Sequence, residues 1–169
     1  QAGSDTVGLT GEDFGVFDAE TFVDAVLAWG TAATTAATAA EDLAMLITAV
    51  QIAATLGALV EHCIAHLSTR VQFGVALATF QVLRHRVVEM YVQYEAASVM
   101  LARLVADAVH SATLHSRDIA LAKLYLNDLA RRGAEAAIQL HGGMGVTTEL
   151  PATRLAQRLL AAEFEHGDR

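Results

Sequence analysis

The sequence predicts an all-α protein, an antiparallel four-helix bundle, on three observations. Hydrophobic residues make up 54% of the chain and charged residues 18%, so there is ample apolar surface to bury in a core. There is one proline, and aromatic residues make up 6%, whereas β-sandwiches and barrels need turn residues and strands rich in β-branched or aromatic side chains. A length of 169 residues fits one core better than two full domains.

The first 40 residues are expected to precede the bundle as a loop or linker remnant. Residues 1–20 are rich in glycine and aspartate and show no sustained period, which is typical of loops. Residues 21–40 contain a short apolar piece followed by a run of alanine and threonine, a composition that allows either helix or linker. The bundle itself is expected over residues 41–169.

The first two helices are predicted from the hydrophobic period and from the residues that start and stop it. One runs from Glu41 to about Arg70, with acidic residues at its positive end. The next runs from Phe80 to about Ala108, after a break at a glycine and with Thr79 as its N-cap.

The third and fourth helices complete the bundle. The third is predicted from about Thr113 to Leu140, where the run Gly142-Gly143-Met144-Gly145 stops it. The fourth runs from Pro151 to about Glu165, since proline is tolerated in a first turn, where its missing N–H has no partner. Helices of this length joined by brief loops describe an antiparallel bundle, whose alanine-rich faces are expected to serve as a subunit interface.

Charge and cysteine content restrict the partners. The chain has 11 Lys and Arg against 19 Asp and Glu, so at a net charge of −8 it repels phosphate backbones and no nucleic-acid partner is expected. Cys63 is the only cysteine, which excludes an internal disulfide and favours a cytoplasmic location. The uncharged stretch Leu43–Val60 lacks aromatic or basic anchors, so we predict a helix buried among other helices and no membrane span.

Two short motifs at the ends of long helices combine hydrogen-bond donors with glycines. The first is Arg70-Val71-Gln72-Phe73-Gly74, followed by Phe80-Gln81, and the second is Ile138-Gln139-Leu140-His141-Gly142-Gly143-Met144-Gly145. The Arg70 guanidinium suits phosphate or carboxylate, and the amides of Gln81 and Gln139 add further donors. The glycines let backbone N–H groups face an anion, and the ring of Phe73 can lie against a flat ligand.

In this order and at this separation, the two motifs and the following Glu149-Leu150-Pro151 resemble the C-terminal helical domain of the acyl-CoA dehydrogenase family of flavoproteins. The resemblance covers about Leu43–Asp168, which is most of the chain. It implies a four-helix bundle that forms tetramers or dimers of dimers and contacts the FAD of the neighbouring subunit. It further implies an acyl-CoA thioester substrate and an electron-transfer flavoprotein or similar acceptor.

The resemblance assigns six candidate FAD contacts. They are Arg70, Phe73, Gln81, Gln139, Gly142 and Gly143. The first three are expected on the pyrophosphate and adenine side of FAD across the dimer interface, and the last three on its adenosine-diphosphate part. The implied reaction is α,β-dehydrogenation, in which a carboxylate removes the α-proton while the β-hydride moves to flavin N5.

The histidines have simpler explanations beside the functional ones. His62 and His66 are spaced i, i+4 on one helix face, but a single helix supplies too few ligands and the family uses no metal, so no metal site is expected. His141 lies inside the second motif, where contact with flavin phosphates and a backbone cap explain it equally well.

The sequence departs from the family where the chemistry would lie. Most members carry the catalytic Glu after the last bundle helix, and counting from Pro151 places His166 there, with Glu165 one residue early. A second family position, early in the first helix, falls near Ala44 and carries no carboxylate. The Arg-Asp pair usual in the last helix reads Gln157-Arg158 here.

Three interpretations follow from these departures. In the first interpretation, the chain is a subunit of a heteromeric enzyme and completes the flavin site without supplying the base. It would then be similar to mycobacterial members that act on steroid side-chain CoA thioesters. Alternatively it is a homomeric enzyme that uses Glu165, since one residue of register moves a side chain by only a few ångströms. The third interpretation is a non-enzymatic helical assembly protein. The family's N-terminal helical domain and middle β-domain do not fit in residues 1–40, so the resemblance implies a fragment or a part of a longer protein.

Overall fold

The structure is a computed structural model that describes residues 36–111 and 115–166. Its elements in chain order are α1 (Ala36–Thr69), β1 (Val71–Gln72), β2 (Val75–Ala76), a 3₁₀ turn (Leu77–Thr79), α2 (Gln81–Ser111), α3 (Ser116–His141), a second 3₁₀ turn (Gly142–Val146) and α4 (Pro151–Ala162). Each of the four helices packs against at least two others. The predicted all-α four-helix bundle is confirmed.

The first helix starts earlier than predicted. α1 begins at Ala36, so part of the alanine and threonine run is helical, whereas residues 1–35 of the expected linker lie outside the described residues. Glu41 and Asp42 therefore lie beyond the first turn, and the prediction that they complement the helix dipole is wrong. Asp42 is instead buried and accepts a 2.5 Å hydrogen bond from Ser116 Oγ, which ties the start of α3 to α1.

A β-hairpin and a 3₁₀ turn fill the break between α1 and α2. β1 and β2 pair antiparallel, with Gln72 opposite Val75, and the sequence analysis predicted only a break here. The predicted N-cap is also wrong, because Thr79 Oγ1 donates backward to the Ala76 carbonyl at 2.7 Å. The carbonyl of Phe80 accepts the first N–H groups of α2 instead.

The last two helices differ from prediction mainly at their ends. α3 begins at Ser116, and the predicted start at Thr113 lies outside the described residues. The glycine run ends α3 as predicted, with Gly142 at a φ of 59°. α4 begins at Pro151 as predicted but ends at Ala162, and residues 163–166 form turns held by short-range N–H bonds to the last carbonyls.

The first helix lies at the centre of the bundle and packs against α2, α3 and α4. Within the described residues, its segment Ala40–Thr69 is long and apolar enough to cross a membrane by length and composition, and half of its most apolar window is buried inside the bundle. The largest fully buried side chains come from all four helices: Ile52, Leu56, Leu59, Met90, Leu101, Ile119, Leu126 and Leu159. Helix α1 thus contributes side chains to the core of the bundle, as predicted, and the absence of a membrane span stays a prediction.

Candidate functional site

The two motifs singled out in the sequence meet at one end of the bundle. α1 and α3 run in the same direction, so the hairpin after α1 and the glycine turn after α3 emerge side by side. Direct contact confirms this placement, because the rings of His66 and His141 lie with their centroids 4.4 Å apart. The fold therefore brings together two polar turns that are far apart in the sequence.

The hairpin presents an aromatic ring to solvent. Phe73 and Gly74 form its two-residue loop with φ values of 54° and 81°, the pattern of a type I′ turn. Phe73 is 90% exposed, and its ring makes an edge contact with Phe80 at a centroid distance of 6.2 Å. One face of the Phe73 ring is free to lie against a flat ligand.

The polar candidates beside the hairpin are exposed as well. Arg70 is exposed and has no ion-pair partner among residues 36–111 and 115–166. The side-chain amide of Gln81 is exposed and lies 3.4 Å from the ring of His85. A free guanidinium and an exposed amide are donors suited to an anionic ligand.

In the glycine turn, the 3₁₀ turn Gly142–Val146, side chains do not block access to part of the backbone. Gly142 and Gly143 are exposed, and a Cβ at either position would meet nothing within 4 Å. Gly145 is different, because a Cβ there would collide with the carbonyl of Ile138, so this glycine is required by packing inside the turn. The open space beyond the first two glycines allows a ligand to approach the backbone.

Gln139 lies on the last turn of α3, beside the glycine turn. It lines a polar groove of about 490 Å³ between α2 and α3, together with Arg86, Glu89 and Arg132. The side-chain oxygen of Gln93 in the same groove is buried, and it has no hydrogen-bond partner in the described part of the chain. This oxygen is closed off from a ligand in the groove and lies beside Gly133, so of these residues Gln139 is the one near the glycine turn.

The candidate base lies elsewhere in the bundle. Glu165 is half-buried in the turns after α4, and His166, at the usual position of the family's Glu, is exposed with a φ of 53°. The end of α4 packs beside Asn127 of α3, and the 14 residues from there to His141 span about 21 Å of helix. Within one chain, Glu165 is thus not brought together with the six candidate FAD contacts.

Glu165, one residue before the family's usual base position, and Ala44, at the second family position, lie at about the same level of the bundle. Arg158 of α4 donates a 2.9 Å hydrogen bond to Gln51 of α1, and the two helices run in opposite directions. Glu165 follows this contact by seven residues and Ala44 precedes it by seven, so at helical rise the two fall about level with each other.

A buried polar clamp under α4 was missed by the sequence analysis. Lys123 Nζ donates to Asn127 Oδ1 at 3.1 Å and to the Ala162 carbonyl at 3.2 Å, and Asn127 Nδ2 donates to the Glu163 carbonyl at 3.3 Å. Lys123 and Asn127 are 3% and 2% exposed. Their spacing with Ile119 places the lysine and the asparagine on the apolar face of α3, a pattern that could have revealed them.

No group of three or more His, Cys, Asp or Glu side chains is arranged to hold a metal ion within the two described ranges. Burial raises the pKa of the Cys63 thiol to about 12, so this cysteine lacks the thiolate character that a metal ligand needs.

Comparison with known proteins decides the family. A model of the acyl-CoA dehydrogenase C-terminal domain matches residues 26–169. The chain belongs to the acyl-CoA dehydrogenase family. It is 36% identical over 114 residues to the acyl-CoA dehydrogenase IpdE2 of Mycobacterium tuberculosis, covering 65% of this chain and 32% of that protein. It is 28% identical over 116 residues to an acyl-CoA dehydrogenase of Bacillus subtilis, covering 65% of this chain and 29% of that protein.

Solved structures show the same fold. Butyryl-CoA dehydrogenase from Megasphaera elsdenii superposes with a TM-score of 0.70 at 23% identity, over 90% of this chain and 36% of that one. The ChsE4–ChsE5 complex from Mycobacterium tuberculosis matches with a TM-score of 0.68 at 22% identity, over 76% of this chain and 35% of that one. The chain spans about a third of the length of the relatives it matches.

Proposed function

We propose that this acyl-CoA dehydrogenase domain completes the FAD site of an adjoining subunit in a heteromeric enzyme that dehydrogenates an acyl-CoA thioester. The observation that carries the proposal is the meeting of two exposed polar turns at one end of the bundle. Because both turns face outward from the chain that bears them, a ligand held there is open to contact from a second subunit.

The residues present fit an FAD diphosphate and adenosine. The Arg70 guanidinium and the Gln81 amide supply donors for phosphate oxygens, and the exposed Phe73 ring supplies a flat apolar face. Gln139 and the N–H groups of the glycine turn supply further donors in a place with no side chain in the way. When bound, FAD would accept the hydride, and this chain's residues would bind and orient it.

Three observations support a heteromer whose partner supplies the base. His166 stands where the family resemblance expects the catalytic Glu, and Ala44 carries no carboxylate. The ChsE4–ChsE5 structure, a complex of two different chains by its description, shares the fold. An apolar groove of about 880 Å³ between α2 and α3, with exposed Val92, Val99 and Leu121 along it, supports burial against another subunit.

The relatives also suggest the substrate class and the setting. A steroid-derived acyl-CoA is proposed because one structure that shares the fold is described as a steroid acyl-CoA dehydrogenase, Tcur3481–Tcur3483. Reduced flavin has to be reoxidised, so an electron-transfer flavoprotein or a similar acceptor is part of the proposal, as is a cytoplasmic location.

A second candidate is a homomeric enzyme in which Glu165 is the base. The favouring observation is that Glu165 is half-buried while its neighbours Phe164 and His166 are exposed, and that the Lys123 clamp fixes the end of α4 just before it. A half-buried carboxylate in a fixed segment has the restricted mobility that a general base requires.

The test of the proposed function measures bound FAD in the chain purified with and without a candidate partner subunit. Arg70→Ala and Gln139→Ala should each weaken FAD retention about 5- to 150-fold, since each removes polar contacts worth about 1–3 kcal/mol. Arg117→Ala is the control, because Arg117 is an exposed arginine at the opposite end of the bundle. Equal flavin content in all three variants would refute the site, and absence of FAD from every assembly would favour the assembly-protein interpretation.

A further inference from the structure

Two histidines and an arginine form the junction between the polar turns. The Arg70 N–H donates to the His66 carbonyl at 2.9 Å, so the two residues lie one helical turn apart at the end of α1. The His66 ring packs on the His141 ring with an interplanar angle of 34°. His141 is 8% exposed, and its Nδ1 lies 2.8 Å from the Ala137 carbonyl, so Nδ1 carries a proton and donates to that carbonyl.

The junction contains no acidic residue, although the chain as a whole is acidic. The sequence has 19 Asp and Glu, yet residues 62–88 and 136–148 contain none. Among the described residues, the charged or titratable groups that act on His66 are His141, at the end of α3, and Arg70, which directly follows α1. A local excess of positive charge in a chain of net charge −8 suits an anionic ligand.

The protonation of His66 is sensitive to this environment. Partial burial, then His141 and then Arg70 lower the pKa of His66 from its ordinary value of 6.5. Without a ligand, His66 is therefore neutral at neutral pH. Arg70 is a positive neighbour, and an anion bound beside it offsets its charge and raises the pKa of His66.

We propose that His66, supported by His141, takes up a proton from solvent when an organic diphosphate binds at Arg70, and so becomes a second cation for that anion. The proton is bound by an imidazole nitrogen of His66 and is released again when the diphosphate leaves. The group that is recognised is a diphosphate, which FAD and coenzyme A both contain. The inference rests on the proposed function only in taking FAD as the molecule that supplies this diphosphate. By linkage, diphosphate affinity rises as the pH falls from about 8 to 6.

The test measures proton uptake directly, without turnover. ADP is titrated calorimetrically into the chain, alone and assembled with its partner subunit, in buffers of different ionisation enthalpy between pH 6 and 8. We expect net proton uptake of up to about one per ADP near neutral pH, and affinity that rises about tenfold for each unit by which binding raises the pKa. Adenosine, which lacks the diphosphate, should bind without proton uptake.

Two variants test whether His66 is the residue that takes up the proton when ADP binds. His66→Phe keeps a flat ring against His141 but does not titrate, so ADP should still bind while proton uptake and the pH dependence disappear. His62→Phe changes an exposed histidine one turn earlier on α1 and should leave both intact. Histidine-ring NMR should show the His66 pKa rising on addition of ADP in the wild type.

The outcomes separate this inference from the proposed function. ADP binding with no proton uptake and no pH dependence overturns the inference and leaves the FAD site standing. Proton uptake that persists in His66→Phe also overturns it. Failure of both ADP and FAD to bind at any pH, in any assembly, overturns the proposed function as well. Titration with FAD and with coenzyme A then assigns the diphosphate to the ligand that produces the uptake.

Discussion

Phe73 adopts a conformation that its side chain disfavours. A φ of 54° places this L-residue in the left-handed region, which costs about 1 kcal/mol, while the ring gains little from packing at 90% exposure. Type I′ turns favour Asn-Gly at the two central positions, which Phe73-Gly74 occupy here. The strain at Phe73 has a reason if the exposed ring is there to contact a ligand.

Phe73→Asn should therefore move stability and ligand binding in opposite directions. The hairpin gains a residue suited to positive φ, so the free energy of unfolding should rise by about 0.5–1 kcal/mol. FAD retention should fall, because the flat ring is lost. Thermal unfolding and flavin content, measured on the same preparation, check the expected gain in stability and the expected loss of FAD. A variant that loses stability, or that keeps its flavin, would contradict this account of the ring.

Glu165→Gln decides between the two positions of the base. The proposed heteromer predicts nearly unchanged turnover of the assembled enzyme, since the partner supplies the carboxylate. Turnover that drops by about 10²–10⁴-fold would instead identify Glu165 as the base. His166→Gln is the matched control in the same turn, because this histidine stands at the family's usual position and is exposed.

Among the structural elements, α4 is the one held by the clearest polar anchor. The last carbonyls of a helix have no partner within it, and buried Lys123 and Asn127 supply donors to Ala162 and Glu163. A cation near a helix C-terminus also interacts favourably with the helix dipole. The clamp therefore determines where the chain leaves α4.

Lys123→Met should loosen this end of the helix. The change removes a buried donor from Asn127 Oδ1 and the Ala162 carbonyl, at a cost of about 1–3 kcal/mol in the free energy of unfolding. Denaturant unfolding measures the loss, and amide exchange should quicken first in residues 162–166. Arg117→Met, at an exposed position on the same helix, should change neither. Unaltered stability in Lys123→Met would show that the clamp contributes little.

The bundle as a whole buries its one cysteine at the centre. Cys63 is 0% exposed on α1, and burial raises the pKa of its thiol to about 12, so very little of the thiol is ionised at pH 8. Reaction at this position requires both water access and the thiolate.

Alkylation of Cys63 should consequently report global unfolding. We expect iodoacetamide to react negligibly with the native chain at pH 8 and at the rate of an ordinary thiol in denaturant. The native rate should rise in step with the unfolded fraction across a denaturant titration. Fast alkylation in native buffer would show that the helices around Cys63 open locally.

The number, order and approximate bounds of the helices could be predicted from hydrophobic period, proline and glycine, because these act through neighbouring residues. The two motifs also carried the resemblance to the acyl-CoA dehydrogenase family, which the family comparison confirms, whereas the six candidate FAD contacts on them stay predictions. The β-hairpin was missed because two-residue strands leave no period to read, and Phe at a positive φ is a choice that the sequence pattern does not favour.

Contacts between distant segments came only from the packed fold. The pairing of His66 with His141, the Lys123 clamp and the Asp42–Ser116 bond each join residues from different helices. These contacts depend on which helix faces pack together and on how the helices are shifted along the bundle axis. The hydrophobic period of a helix shows which of its faces is buried but not which other helix packs against that face. For that reason the sequence determined the helices and the family, whereas the meeting of the two polar turns and the separation of Glu165 from them came only from the bundle geometry.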